Sequence, residues 1–404
     1  MPTLRIAIPA MDELDFLPAT LDALTKQDTR LPFEVFVCVN QPDNYWDIPE
    51  KKAICENNQK LLVSLLDYKS LTLNVLDYAS PGHGWKGKKS GVGFARKVLF
   101  ERILSNCDSK DIIVSLDADT LIKPHYLQSL ADRFEQNPKM NALAVPYYHP
   151  LSGDDEIRDM ALLRYEIYMR NYAVNLLKIN SPYGFTALGS AIAMRADALK
   201  KIGNITPLQS GEDFYLVQKF CKMGGLSLFN TECVYPAGRY SDRVPFGTGP
   251  AMQTGARGIW DSYPIYHHSF FSPIQEVYEE LKELYENKIS AEKNDFLLFL
   301  QKENQKPDIW QDIRKNVSDF QHFAKAFHQK ADGLRVLQFV RAKHRQQPEL
   351  ETHAIYDNFQ LWMPEKCPDW LNSSKTWHQY NLDQLNMIRD LLFYEEMLLR
   401  HDYG

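Results

Sequence analysis

The run Ile112-Ile113-Val114-Ser115-Leu116-Asp117-Ala118-Asp119 is apolar until it ends in two carboxylates separated by one small residue. Hard divalent cations such as Mg²⁺ and Mn²⁺ take one or two carboxylate oxygens and complete an octahedron with phosphate oxygens and water, so this pair suits a metal–diphosphate site. The plain structural alternative is two Asp residues that close a strand and cap the next element. A second acidic pair, Glu212-Asp213, comes after Gly211 and opens a helix-like stretch. Acids there suit the positive end of a helix dipole. They also offer a carboxylate that can take the proton of an attacking hydroxyl.

Such groups need a scaffold, and the N-terminal 150 residues supply its pattern. Strand-like runs at Leu4–Ile8, Phe33–Val39, Leu71–Leu76, Ile112–Leu116 and Ala142–Pro146 alternate with helical patterns at Leu14–Thr25, about Lys51–Leu66, Gly93–Leu104 and Leu127–Gln136. That alternation predicts an open α/β sheet with covering helices. Ligands of such sheets bind beyond the carboxyl ends of the strands. The residues at those ends are polar: Pro9-Ala10-Met11-Asp12-Glu13 after the first run, Asn40-Gln41 after the second, and Asp117-Ala118-Asp119 after the fourth. A long helical pattern runs from Asp154 to about Asn180, then a further strand at Leu188–Met194.

From Leu4 to about Ala251 this order of elements resembles the family 2 glycosyltransferases, whose members share a GT-A fold and bind a nucleotide sugar. The resemblance implies a Rossmann-like mixed sheet flanked by helices, with a mainly helical C-terminal region after it. It places Pro9, Ala10, Met11, Glu13, Asn40, Gly93, Arg96, Asp117 and Ala118 at the nucleotide sugar, and Asp119 with Asp117 on Mn²⁺ or Mg²⁺. Met11 stands where the family carries an aromatic ring, and Asn40 where it commonly carries an Asp that contacts the base. The segment Ser90-Gly91-Val92-Gly93-Phe94-Ala95-Arg96 is similar to the family's glycine-containing helix start, where a helix N-terminus and a guanidinium suit a diphosphate. Before it, Gly84-Trp85-Lys86-Gly87-Lys88-Lys89 is a basic, flexible stretch that could cover phosphates, with a solvated loop the plainer reading. The family likeness makes Asp213 the general base, assisted by Glu212, and implies an inverting single displacement. Arg239 and Arg243 are placed at the leaving diphosphate or the acceptor, against the alternative of ordinary loop residues. Some GT-A enzymes take a further metal ligand from this side of the chain, which makes His267 of the His267-His268 pair a candidate, with ordinary hydrogen bonding the plainer reading. No Q-x-x-R-W motif is present near this point, so a non-processive hexosyl transfer is expected.

The 404 residues divide, on this reading, into a transferase domain over 1–263, with a nucleotide-sugar half at about 1–120 and an acceptor half at about 140–263, and a helical region over 264–404. In that region Ser272-Pro273-Ile274-Gln275 carries a helix-start signal, and Leu385, Ile388, Leu392 and Leu399 recur at helical spacing. The region is expected to help select the acceptor, a carbohydrate or lipid-linked hydroxyl, although Trp310, Trp362, Trp370 and Trp377 at helical spacing are more often plain core. With 46 Lys and Arg against 52 Asp and Glu, a net charge of −6 gives no broad reason to expect nucleic acid. No leader-like or membrane-spanning apolar run is seen, which points to the cytoplasm, with peripheral contact at the inner membrane face compatible with a lipid-linked acceptor. Six scattered cysteines form no C-x-x-C pair and suit buried, reduced thiols. Two rivals stand: a non-catalytic scaffold with a degenerate transferase domain, and a sugar nucleotidylyltransferase. The intact Asp117, Asp119 and Asp213 argue against the first. The lack of a glycine-rich basic segment at Pro9–Glu13 argues against the second.

Overall fold

The computed structural model describes residues 1–404 except 88–89, 229, 242–246, 290–292, 306–307, 376–378 and 403–404. Its first elements track the apolar runs: β1 (Leu4–Ala10), α1 (Leu17–Thr25), β2 (Phe33–Asn40), α2 (Lys52–Ser64), β3 (Leu73–Tyr78), α3 (Val92–Leu104) and β4 (Ile112–Ser115). β1 pairs in parallel with β2 and with β4, and β2 with β3. Leu4, Ile6, Ala7 and Ile8 are completely buried, as expected of a parallel sheet covered on both faces. Helix α1 starts later than its periodicity suggests. Asp12 adopts a left-handed φ of 61°, the backbone N–H of Leu17 closes back on the Glu13 carbonyl, and Pro18 fits the first turn.

The chain continues through β5 (Thr120–Ile122), α4 (Tyr126–Gln136), β6 (Ala142–Ala144), α5 (Glu156–Lys178), β7 (Ile192–Arg195), α6 (Ala196–Lys201), α7 (Glu212–Met223), β8 (Leu226–Ser227), β9 (Val234–Pro236) and α8 (Thr248–Gly255). β7 runs antiparallel between β4 and β6, giving a mixed seven-stranded sheet in the order β3-β2-β1-β4-β7-β6-β8. β5 and β9 form a separate antiparallel pair. Two expected strands are shorter than their apolar runs. β6 stops before Pro146, which lacks an N–H for the ladder, and β7 begins only after a turn in which Ala191 N–H bonds the Leu188 carbonyl.

Two compact units result, the first made of Met1–Leu162, Ala187–Arg257 and Arg400–Gly404, the second of Leu163–Thr186 and Gly258–Leu399. Within the first, the buried Arg400 guanidinium donates to the carbonyls of Ala144 (2.8 Å) and Leu228 (3.0 Å).

The second unit is helical: α9 (Ser272–Glu279), α10 (Leu281–Tyr285), α11 (Asp295–Glu303), α12 (Ile309–Lys315), α13 (Phe320–Lys330), α14 (Gly333–Gln346), α15 (Glu351–Trp362) and most of α16 (Leu382–Asp402). Asn294, Asp308, Asp319 and Asp332 cap four of these helices with side-chain oxygens. Ser272, the expected cap of α9, is instead its first residue, and Phe271 takes the cap position with no side-chain bond. Trp310 packs with Phe296, Leu300, Phe323, Phe327 and Phe339 as core. Trp377 lies outside the described residues.

A buried ion network joins α5 to α16. Arg170 bonds Glu166 (2.6 Å) and Glu396 (2.6 Å), with Arg389 3.7 Å from Glu166, and the side chains are at most 2% exposed. All six cysteines are free thiols, as expected; Cys38 and Cys55 are buried, whereas the other four are only partly covered. Among the described residues no helix is long and apolar enough to cross a membrane.

Candidate active site

In the order β3-β2-β1-β4 the chain leaves β1 toward β2 and later returns to its other side with β4. The gap beyond the carboxyl ends of β1 and β4 is therefore a topological switch point, where open α/β sheets bind ligands. Pro9-Ala10-Met11-Asp12-Glu13 leaves β1 there, and Asp117-Ala118-Asp119 leaves β4. Ala118 is buried, and its carbonyl accepts from Thr20 Oγ1 at 2.9 Å. Asp117 and Asp119 flank it, each partly exposed.

Each of these aspartates meets an arginine. The buried Arg96, from the first turns of α3, contacts Asp117 and also Glu212 at the start of α7, and its Nε lies 3.3 Å from Ser115 Oγ. Burial works against its charge, but Asp117, Glu212 and Asp213 outweigh it and hold the guanidinium protonated more firmly than usual. Asp117 is pushed above the ordinary carboxylate range by burial, which Arg96 opposes and Asp119 and Glu212 reinforce. Gly189 makes the arrangement sterically possible. A Cβ there would lie 1.8 Å from Arg96 Nη2.

Arg239, just after β9, donates to Asp119 (2.8 Å) and Glu13 (2.5 Å), and its guanidinium lies 4.1 Å from the centroid of Phe16. Its pairing with Glu13, 226 positions away, has no local sequence signal. The phenyl–guanidinium contact adds cation–π attraction. Arg243 lies outside the described residues.

Asp213 is half-buried beside Glu212. Burial first, then the Glu212 carboxylate, pushes its carboxyl up to about 7, against the opposing pull of Arg96 and the Phe214 N–H. A carboxyl poised there can exchange a proton near neutral pH. Five carboxylates (Glu13, Asp117, Asp119, Glu212, Asp213) thus answer to two guanidinium groups, Arg96 and Arg239.

The excess of hard, anionic oxygen fits a divalent cation. No set of three or more His, Cys, Asp or Glu among the described residues is arranged to hold one.

The other expected contacts divide. Gly93 packs against the Leu208 backbone, which accounts for its missing side chain. Asn40 donates to the carbonyls of Ala10 (3.0 Å) and Cys38 (3.2 Å) and accepts from Trp85 Nε1 (3.1 Å). The loop before α3, read as a solvated loop in preference to a cover over phosphates, is anchored at Gly84 and Trp85; Lys88 and Lys89 lie outside the described residues. His267 belongs to the second unit, bonded to Ser269 Oγ (2.7 Å) and Asp357 (3.2 Å), and burial lowers its pKa.

No curated protein matches the chain. Among solved structures it is similar to S. aureus TarS 1–349 in complex with UDP-GlcNAc, at 15% identity and a TM-score of 0.44, covering 100% of this chain and 91% of that one. A longer S. aureus TarS structure aligns at 15% identity and a TM-score of 0.42, covering 89% of this chain and 54% of that one. The family described as "Glycosyltransferase like family 2" matches residues 2–229. That span covers more than half of the chain and includes the mixed sheet from β1 to β8, the carboxylates at its strand ends and the acidic start of α7. The chain therefore belongs to the glycosyltransferase-like family 2 and is a glycosyltransferase enzyme.

Proposed function

We propose that the first unit binds a nucleotide-diphosphate sugar at the crevice between β1 and β4 and transfers the sugar to an acceptor hydroxyl with inversion. The observation that carries this reading is the convergence of Asp117, Glu212 and Asp213 around Arg96, with Asp119 held by Arg239, at the switch point of the sheet. In it Pro9, Ala10, Met11 and Ala118 form the crevice floor, with Glu13 holding Arg239. Asp213 is the general base. Its carboxyl, poised near neutrality, accepts the proton of the acceptor hydroxyl as that oxygen attacks the anomeric carbon, and Glu212 keeps it there through repulsion. Arg96 and Arg239 answer the negative charge that grows on the departing diphosphate.

Asp117 and Asp119 are the residues that would hold Mg²⁺ or Mn²⁺, which when bound neutralises diphosphate charge. Arg96 and Arg239 then act as internal counter-ions to Asp117 and Asp119. The nucleotide-sugar half is assigned to about 1–120, the acceptor half to about 140–263, and the acceptor to a carbohydrate or lipid-linked hydroxyl. A base on the face opposite the leaving group gives a single displacement, and the transferred group is assigned as a hexosyl.

The test is calorimetric titration of the purified chain with UDP, GDP and dTDP, each with and without Mn²⁺. Metal-dependent binding of one of them, lost in Asp119→Ala, is expected. Binding of none would sink the donor site.

A further inference from the structure

The proposed transfer leaves one aromatic cluster at the strand ends unused. Trp85 stacks on Tyr78, the last residue of β3, with ring centroids 4.3 Å apart and planes 18° from parallel. Phe94 in the first turn of α3 meets the same indole at 6.5 Å and 50°. All three rings are half-buried rather than enclosed in the core, and they stand at the carboxyl ends of β2 and β3, beside the crevice.

The indole is held from several directions. Trp85 N–H donates to the Gln41 carbonyl at 2.9 Å, its carbonyl accepts from Asp43 N–H at 2.9 Å, and its Nε1 donates to Asn40 Oδ1 at 3.1 Å. Asp43 Oδ1 takes the N–H groups of Gly82 (2.8 Å) and Gly84 (3.3 Å). A side chain at Gly84 would bring its Cβ to 2.6 Å from Asp43 Cα, so only glycine allows this approach. Asn40 in turn spends both amide hydrogens on the Ala10 and Cys38 carbonyls. Two hydrogen bonds therefore connect the indole to Ala10, next to Met11, where the expected ring is missing.

We propose that Trp85, backed by Tyr78, is the platform on which the nucleobase of the donor stacks, and that Asn40 serves to hold this indole rather than to read the base edge. The inference rests on the donor-site reading above and names an affinity-determining residue within it. An indole fixed before the ligand arrives gives up little freedom on binding. Aromatic stacking accepts any base because every base has a π-face. Selection among nucleotides then falls to ring size and backbone contacts around the platform.

The test compares wild type, Trp85→Ala and Trp85→Phe in Mg²⁺, titrated with UDP, GDP and dTDP and with inorganic pyrophosphate as a probe that has no base. Trp85→Ala should weaken the nucleotide that binds by about 10- to 100-fold, leave pyrophosphate affinity within about twofold, and be largely rescued by Trp85→Phe. Nucleotide-induced quenching of tryptophan fluorescence, present in wild type, should disappear in Trp85→Phe, a readout that does not depend on the alanine variant folding. Unchanged nucleotide affinity in Trp85→Ala with pyrophosphate still bound overturns the platform and leaves the donor site standing. An equal loss for pyrophosphate and nucleotide, or quenching that survives in Trp85→Phe, also overturns it. Failure of wild type to bind any of the probes removes the donor site and the platform together.

Discussion

Replacing Asp213 by Asn should make the protein more stable while disabling it, and the gain should depend on pH. The carboxyl is raised from 3.8 to about 7 in the folded chain, so the fold binds its proton more tightly than the unfolded chain does. A raised carboxyl detracts from stability as pH climbs past its unfolded value, and the penalty levels off above the folded value. The amide of the variant carries no charge and escapes it, while its carbonyl oxygen can keep the Phe214 N–H that Asp213 Oδ1 now accepts at 2.7 Å. A displacement of about three pH units is worth at most ~4 kcal/mol at 1.36 kcal/mol per unit. Because the side chain is only half-buried, water screens a large part of this, and a gain of about 1–2 kcal/mol above pH 7 is expected. The assay is urea unfolding of both proteins from pH 3 to pH 8.5, with the difference near zero at pH 3 and a plateau beyond pH 7. In parallel, turnover of Asp213→Asn should drop by roughly 10²- to 10⁴-fold, and that of wild type should rise with pH through about 7 as the base ionises. A pH-independent difference, or a variant less stable at pH 8, would refute the claim that this carboxyl is held protonated by its surroundings, and with it the argument for a poised base.

Other outcomes rest on the same contacts. Gly189→Ala forces the Arg96 guanidinium off its partners and should cost about 2–4 kcal/mol in thermal or chemical unfolding, together with most activity. Arg96→Lys replaces a planar fork by a point charge that cannot span Asp117 and Glu212, so kcat/KM should fall about 100-fold in steady-state assays. In the helical unit, Arg170→Met removes the cation shared by Glu166 and Glu396 and should destabilise by about 3–5 kcal/mol. Replacing the whole buried network by apolar residues of similar volume should be nearly neutral by the same unfolding measurement.

The sheet could be read from the sequence because β1, β2 and β4 are near-continuous apolar runs, the mark of strands buried on both faces. The carboxylates after β4 and at the start of α7 were visible for the same reason: they end or begin elements with strong local patterns. The features that stayed hidden depend on distant partners. Nothing near residues 192–195 tells that β7 runs antiparallel between β4 and β6, and nothing near Gly189 tells that its vacant Cβ position is filled by Arg96. Arg239 is placed by the sequence at the diphosphate or the acceptor, but its residue type and position do not tell that it joins Glu13 to Asp119 across the fold. Trp85 gave one usable hint, a lone large ring between two glycines. A side chain of that size in a short glycine-flanked loop needs something to lean on, and Tyr78 provides it.

The arginine at position 400 carries a consequence for the order of events during synthesis. Its guanidinium fastens carbonyls that lie 256 and 172 residues earlier in the chain, and Arg170 likewise waits for Glu396, 226 residues downstream. A ribosome delivers residues from the N-terminus onward. The edge of the sheet at β6 and β8 and the charges within α5 are therefore made long before their last partners emerge. Until then Arg170 and Glu166 have reason to stay in water, and the nascent chain should become resistant to protease only after α16 has left the exit tunnel.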